Sequence, residues 1–283
     1  DLDKGVLDLN IDYIGIGDEG CIHNFIKIFE SKGAYDYIKE AALKGKQIKV
    51  VIPFVPEKYL EATKDIVKNL LSLDQEIHYI INDLGILNYI NRLSSNLKIC
   101  LGRFLVNSFD FIPWKELVLK RESDFVKETF QQLNVSHQTK LDFFKSKQVS
   151  EFEINMSSGI TESLKDIKQN GFRINAHSNL NVLAFTRACP TKRLFDNWDD
   201  CNSKCMESMD ISLDKLWGAA GYFESTDKIE FPDLSIKGNM ILAEYQPTDE
   251  QLDYIDCLIF SKYNYPDFER LKLDLDNSLM QTI

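Results

Sequence analysis

The chain has 283 residues, 44% of them hydrophobic and 27% charged, with a net charge of −11 and a pI near 4.9. That is an ordinary soluble globular profile, and it speaks against an unassisted nucleic-acid binder, which needs a basic surface to neutralise phosphates. No apolar run approaches the roughly 20 residues that span a bilayer. The first residues, DLDKGVLDLN, show neither the basic nor the apolar region of a signal peptide. Six cysteines in this length do not read as a disulfide scaffold, so a reducing, cytoplasmic setting is expected.

Taken in chain order, short β-rich runs alternate with longer helical patterns. Strands are expected at Tyr13–Ile16, Ile48–Phe54, Ile77–Ile81, Lys98–Arg103 and Glu151–Asn155. Further strands are expected at Arg173–Asn175, Val182–Phe185, Asn239–Glu244 and Tyr254–Phe260. Between them, Ala34–Leu43, Glu57–Leu73, Gly85–Leu93 and Thr161–Gln169 carry apolar residues at three- and four-residue intervals, the helical period. Gly45 and Gly171 stop two of these helices just before the next strand. This alternation predicts an α/β fold with a mainly parallel sheet: one barrel-like domain over residues 1–283.

The stretch Pro113–Lys147 breaks the rhythm and reads as a helical insertion, whose Phe125, Phe130, Phe143 and Phe144 are expected to dock on the barrel. The densest basic stretch holds Lys39, Lys44, Lys46 and Lys49 and reads as a solvated helix face.

The most informative chemistry is in the cysteines. Cys189, Cys201 and Cys205 lie within 17 residues in a C-x11-C-x3-C run, and Cys21 follows the first strand. Four soft thiolates around one point suit an iron–sulfur cluster or a zinc ion, and Lys192, Arg193 and Lys204 would help hold the negative charge. A radical-SAM cluster needs C-x3-C-x2-C, but Ser208 stands three positions after Cys205. Zinc knuckles show C-x2-C pairs, and none is present. Spacing alone does not decide between iron–sulfur and zinc. Cys100 and Cys257 sit in apolar runs and read as small buried fillers. In a βα barrel the chemistry gathers at the C-terminal strand ends, where Cys21 and Cys189 are both expected.

Asp83 follows the third strand and Arg103 ends the fourth. Such a pair can bind a polar small molecule or close the rim as a structural ion pair, and both readings stand at this stage. Glu153 and His177 also lie at strand ends, and a lone histidine there reads as a hydrogen-bonded structural group. No G-x-S-x-G or H-E-x-x-H run occurs, and Cys21 with His23 is the one nearby nucleophile–base pair a peptidase reading can draw on.

The segments YIGIGDEGC, INDLGIL, LGRFL, LAFTRACPTKR and DDCNSKC together resemble the collagenase-like peptidase family of unknown mechanism. Within it, the iron–sulfur accessory proteins of anaerobic ubiquinone biosynthesis are the most similar. The resemblance implies an irregular or incomplete TIM-like barrel with one 4Fe-4S cluster on Cys21, Cys189, Cys201 and Cys205 (zinc being the alternative). It implies oxygen-independent hydroxylation of an aromatic or other small-molecule precursor (RNA bases in some members) by a heterodimer with a related family member; the net charge disfavours nucleic acid here, and hydropathy predicts no membrane span. Asp83 and Arg103 would hold the substrate. The alternatives are a peptidase, as other members of the family are described, and a non-catalytic protein with a structural metal site. Only about ten residues precede YIGIG where the family has a strand and a helix, which implies an N-terminally truncated chain whose barrel is open at one edge.

Overall fold

The computed structural model describes residues 4–112, 115, 119–178, 180–186, 189, 209–211, 233–261 and 268–281. In chain order the first half runs β1 (Tyr13–Gly17), α1 (Ile22–Glu30), α2 (Lys32–Leu43), β2 (Gln47–Ile52), α3 (Leu60–Leu71), β3 (Ile77–Ile81), α4 (Leu84–Leu93) and β4 (Lys98–Leu101). Then come α5 (Asp124–Gln131), α6 (Gln138–Ser146), β5 (Val149–Ile154), α7 (Thr161–Gln169), β6 (Arg173–His177) and β7 (Leu180–Phe185). The last elements are β8 (Met209–Ile211), β9 (Leu234–Lys237), β10 (Met240–Glu244), α8 (Asp249–Leu252), β11 (Cys257–Ile259) and α9 (Phe268–Gln281).

The chain forms two compact units. The first comprises Asp1–Leu105, Gln138–Glu153 and Tyr265–Ile283, and the second Val106–His137 and Ile154–Asn264. In the first unit β1 to β5 are hydrogen-bonded in chain order, every pair parallel. Because right-handed crossovers always step the same way, this order puts the connecting helices on one face of the sheet. A βα barrel is wound like this, whereas a doubly wound sheet reverses its strand order. The protein is therefore α/β, with a parallel sheet compatible with the expected incomplete barrel. Gly45 and Gly171 have φ of 75° and 81°, the left-handed conformation that ends α2 and α7 just before β2 and β6.

Alternation along these strands separates two faces. Ile48, Val50, Ile52, Ile77, Tyr79, Ile81, Ile99, Leu101 and Phe152 make one face, all buried and almost wholly apolar. The other carries Lys49, His78, Cys100, Glu151 and Glu153, equally buried. Lys49 is thus a core residue of β2, not part of a solvated helix face, although Lys39 and Lys44 are exposed as expected. Its ammonium lies 3.2 Å from Glu151 Oε2 and 4.5 Å over the Tyr13 ring, and His78 Nδ1 lies 3.2 Å from Glu151 Oε1. A buried cation persists only when paired in this way.

The second unit holds the parallel pair β6–β11 and a four-stranded antiparallel sheet in the order β7-β10-β9-β8. The strand expected at Val182–Phe185 is therefore not part of a parallel sheet. Only two residues separate β6 from β7, and a parallel neighbour needs a crossover of a dozen or so. Asn155 holds the β7 backbone by accepting from Val182 N at 3.0 Å and donating to Val182 O at 2.8 Å. Buried Asp110 accepts from Lys115 Nζ at 2.7 Å and Gly159 N at 3.1 Å. Burial pushes its carboxyl up, but the Lys115 ammonium and the Gly159 N–H outweigh this and hold it below the ordinary carboxylate range.

The insertion is helical, as expected, but its phenylalanines are not docked as a group. Phe144 is buried against Phe152, whereas Phe125 is 76% exposed, Phe143 49% and Phe130 45%. Helix α5 buries none of its residues: Phe130 packs edge-on against Phe109, ring centroids 5.0 Å apart, and Phe125 faces solvent.

Candidate functional site

The loop after β1 is built around Asp18. Its Oδ1 accepts from Gly20 N at 2.9 Å and Cys21 N at 2.7 Å, and its Oδ2 from Asn24 Nδ2 at 2.7 Å. Burial nevertheless raises the Asp18 carboxyl above its ordinary value, those hydrogen bonds opposing it. The clamp sets Cys21 as the N-cap of α1, with the thiol accepting from Asn24 N at 3.5 Å. A thiolate there is favoured by the N-terminal N–H groups of the helix.

Glu19 lies inside the same loop and reaches Arg103. The guanidinium grips its carboxylate in a fork, Nε to Oε2 at 2.7 Å and Nη2 to Oε1. The Arg103 side chain is 3% exposed and that of Glu19 16%. Glu153, on β5, brings a second carboxylate within 4.8 Å of that of Glu19. The backbone leading into Arg103 is fixed by Asn82, which accepts from Phe104 N at 3.1 Å and donates through Nδ2 to Ile52 O at 3.3 Å. Gly102 makes room for it, since a Cβ there would meet Asn82 Oδ1 at 2.2 Å. The Arg103 fork is occupied by Glu19, so the guanidinium meets another anionic group only by exchange for that carboxylate.

Asp83 is spent on scaffold. It is the N-cap of α4, with Oδ1 accepting from Ile86 N at 2.9 Å, and its Oδ2 accepts from Val55 N at 3.2 Å. Arg103 thus finds its carboxylate at Glu19 rather than Asp83. Sequence reasoning missed Glu19, although the available signal was an acid in a Gly-rich strand-to-helix turn.

Of the expected metal ligands, Cys21 and Cys189 form no disulfide, and each is partly exposed. Cys201 and Cys205 lie outside the described residues, as do Lys192, Arg193 and Lys204. Cys100 is fully buried, the filler expected, while Cys257 is only partly so. His23 stacks edge-on against Tyr59, its ring centroid 4.9 Å away. His177 ends β6 opposite Ile259 of β11 and is buried. No helix among the described residues is long and apolar enough to cross a membrane. Comparison with protein-family models, curated proteins and solved structures finds no match for this chain.

Proposed function

We propose that this chain is an iron–sulfur protein of an oxygen-independent hydroxylation, acting on a small carboxylated precursor. The cluster is of the 4Fe-4S type on Cys21, Cys189, Cys201 and Cys205. The scaffold is an incomplete TIM-like barrel, and the working form is a heterodimer with a related chain in the cytoplasm. One observation carries the reading: a single strand-end loop bears a helix-capping thiol at Cys21, outside any disulfide, and, two residues earlier, the carboxylate that Arg103 grips. Metal ligand and anion-recognition group are thereby neighbours in sequence and in the first unit.

Four cysteine thiolates are the donor set such a group takes. Two of the four proposed ligands, Cys21 and Cys189, lie among the described residues and form no disulfide, and the Cys21 sulfur accepts from Asn24 N. A bound cluster would supply electrons or activate the oxygen donor. Arg103 orients the substrate carboxylate through its fork once Glu19 gives way. The test is anaerobic purification followed by iron, acid-labile sulfide and zinc analysis. Iron and sulfide in equal amounts with broad visible absorption support the reading. Stoichiometric zinc in a colourless protein overturns it.

A further inference from the structure

We propose that Glu19 is a built-in competitor for the anion site: its carboxylate occupies the Arg103 fork until a ligand carboxylate displaces it. This goes beyond the hydroxylation reading and stands whether or not a cluster is present.

Three observations carry it. First, the two partners differ in how they are held. Arg103 is 3% exposed, and its backbone is pinned between Gly102 and the Asn82 side chain, so the cation is a fixed feature. The Glu19 side chain is 16% exposed, so the accessible edge of the pair is on the carboxylate side. Second, the Asp18 clamp fixes the backbone on both sides of Glu19 through Gly20 and Cys21. Release of the carboxylate therefore needs only rotation of the side chain towards solvent, not rebuilding of the loop. Third, Glu19 meets the guanidinium through Nε and Nη2, and a ligand carboxylate can take over the same two hydrogen bonds, so the exchange leaves neither donor unmatched.

The fork in Arg103 matches a planar carboxylate at two points, so the ligand class is a monoanionic carboxylate with its charged end inward. A neutral amide of the same shape offers only one acceptor and no charge. The internal competitor then sets a threshold: weak anions do not displace Glu19, and the site stays closed to small inorganic ions.

The test uses the full-length protein and benzoate, with benzamide as the neutral isostere, followed by calorimetric titration. Glu19→Gln keeps the shape and removes the charge that competes. Benzoate should bind this variant about tenfold tighter than wild type or better, the worth of a charge-assisted hydrogen bond. Glu19→Asp, whose shorter arm holds the fork less well, should fall between the two. Adding Arg103→Met to Glu19→Gln should abolish the gain, and benzamide should show no such series. Equal or weaker benzoate binding in Glu19→Gln overturns the proposal, as does a parallel benzamide series or a gain that survives loss of Arg103. If Glu19→Gln does not fold, the order of Glu19→Asp against wild type decides. Absence of binding in every variant also overturns it.

Discussion

Replacing Lys49 by Met and Glu151 by Gln, singly and together, measures what the buried charges of the first unit contribute. Both side chains are 4% exposed and their charged atoms are 3.2 Å apart. Removing one partner takes from the other its ionic counter-charge inside the core, which costs about 3–5 kcal/mol. Removing both leaves a neutral core, in which the Gln amide oxygen still accepts from His78 Nδ1, and such replacements are often neutral or better. The double variant should therefore lie well above the sum of the singles, with a coupling of about 2 kcal/mol or more. In urea, with a slope of about 1–3 kcal/mol per M, a 3 kcal/mol loss moves the midpoint by about 1–3 M. Unfolding followed by both tryptophan fluorescence and circular dichroism reads the midpoints and checks that one transition is being measured. Single changes that cost less than about 1 kcal/mol, adding up in the double, would refute the reasoning.

Asp83→Ala should cost about 1–2 kcal/mol from the lost α4 cap, and more where Val55 N is left buried without its acceptor; urea midpoints measure it. The Asp110 carboxyl is held below its ordinary value, so its contribution to stability is present above the unfolded value near pH 4 and lost as pH falls through the folded value. Asp110→Asn should accordingly destabilise more at pH 7 than at pH 3, and a midpoint series across that range shows whether the gap closes. Phe125→Ser removes a side chain that is 76% exposed, so thermal stability should change by less than about 0.5 kcal/mol while solubility rises.

How much of this was legible in the sequence depends on the residue in question. The strand Ile77–Ile81 and the helix Thr161–Gln169 appear with the bounds that periodicity predicts, because each run satisfies its own local pattern. Helix α1 was not anticipated: its run of isoleucines and phenylalanines is as apolar as a strand, and the helical spacing of buried Ile22, Phe25 and Phe29 is evident only once its start at Cys21 is known. The antiparallel sheet was missed for a different reason. Strand β7 reads like any other apolar run, and its pairing with β10 is a long-range choice that local propensity does not encode. Lys49 illustrates the same limit for charge. A lysine is normally read as solvated, and only Glu151, 102 residues away, explains why this one is buried. At the site, sequence placed Arg103 at a strand end but paired it by proximity with Asp83. The Glu19 partner follows from the register of β1 to β4, which no spacing rule supplies.

The central claim, a cluster that draws on Cys21 together with the 189–205 cysteines, is tested most directly by iron and sulfide content across cysteine variants purified without oxygen. Wild type should carry about four iron and four sulfide per chain, and Cys21→Ala, Cys189→Ala, Cys201→Ala and Cys205→Ala should each lose most of both. Cys100→Ala and Cys257→Ala should retain them in full. Full iron in Cys21→Ala, or a wild-type protein without iron and sulfide, would contradict the account.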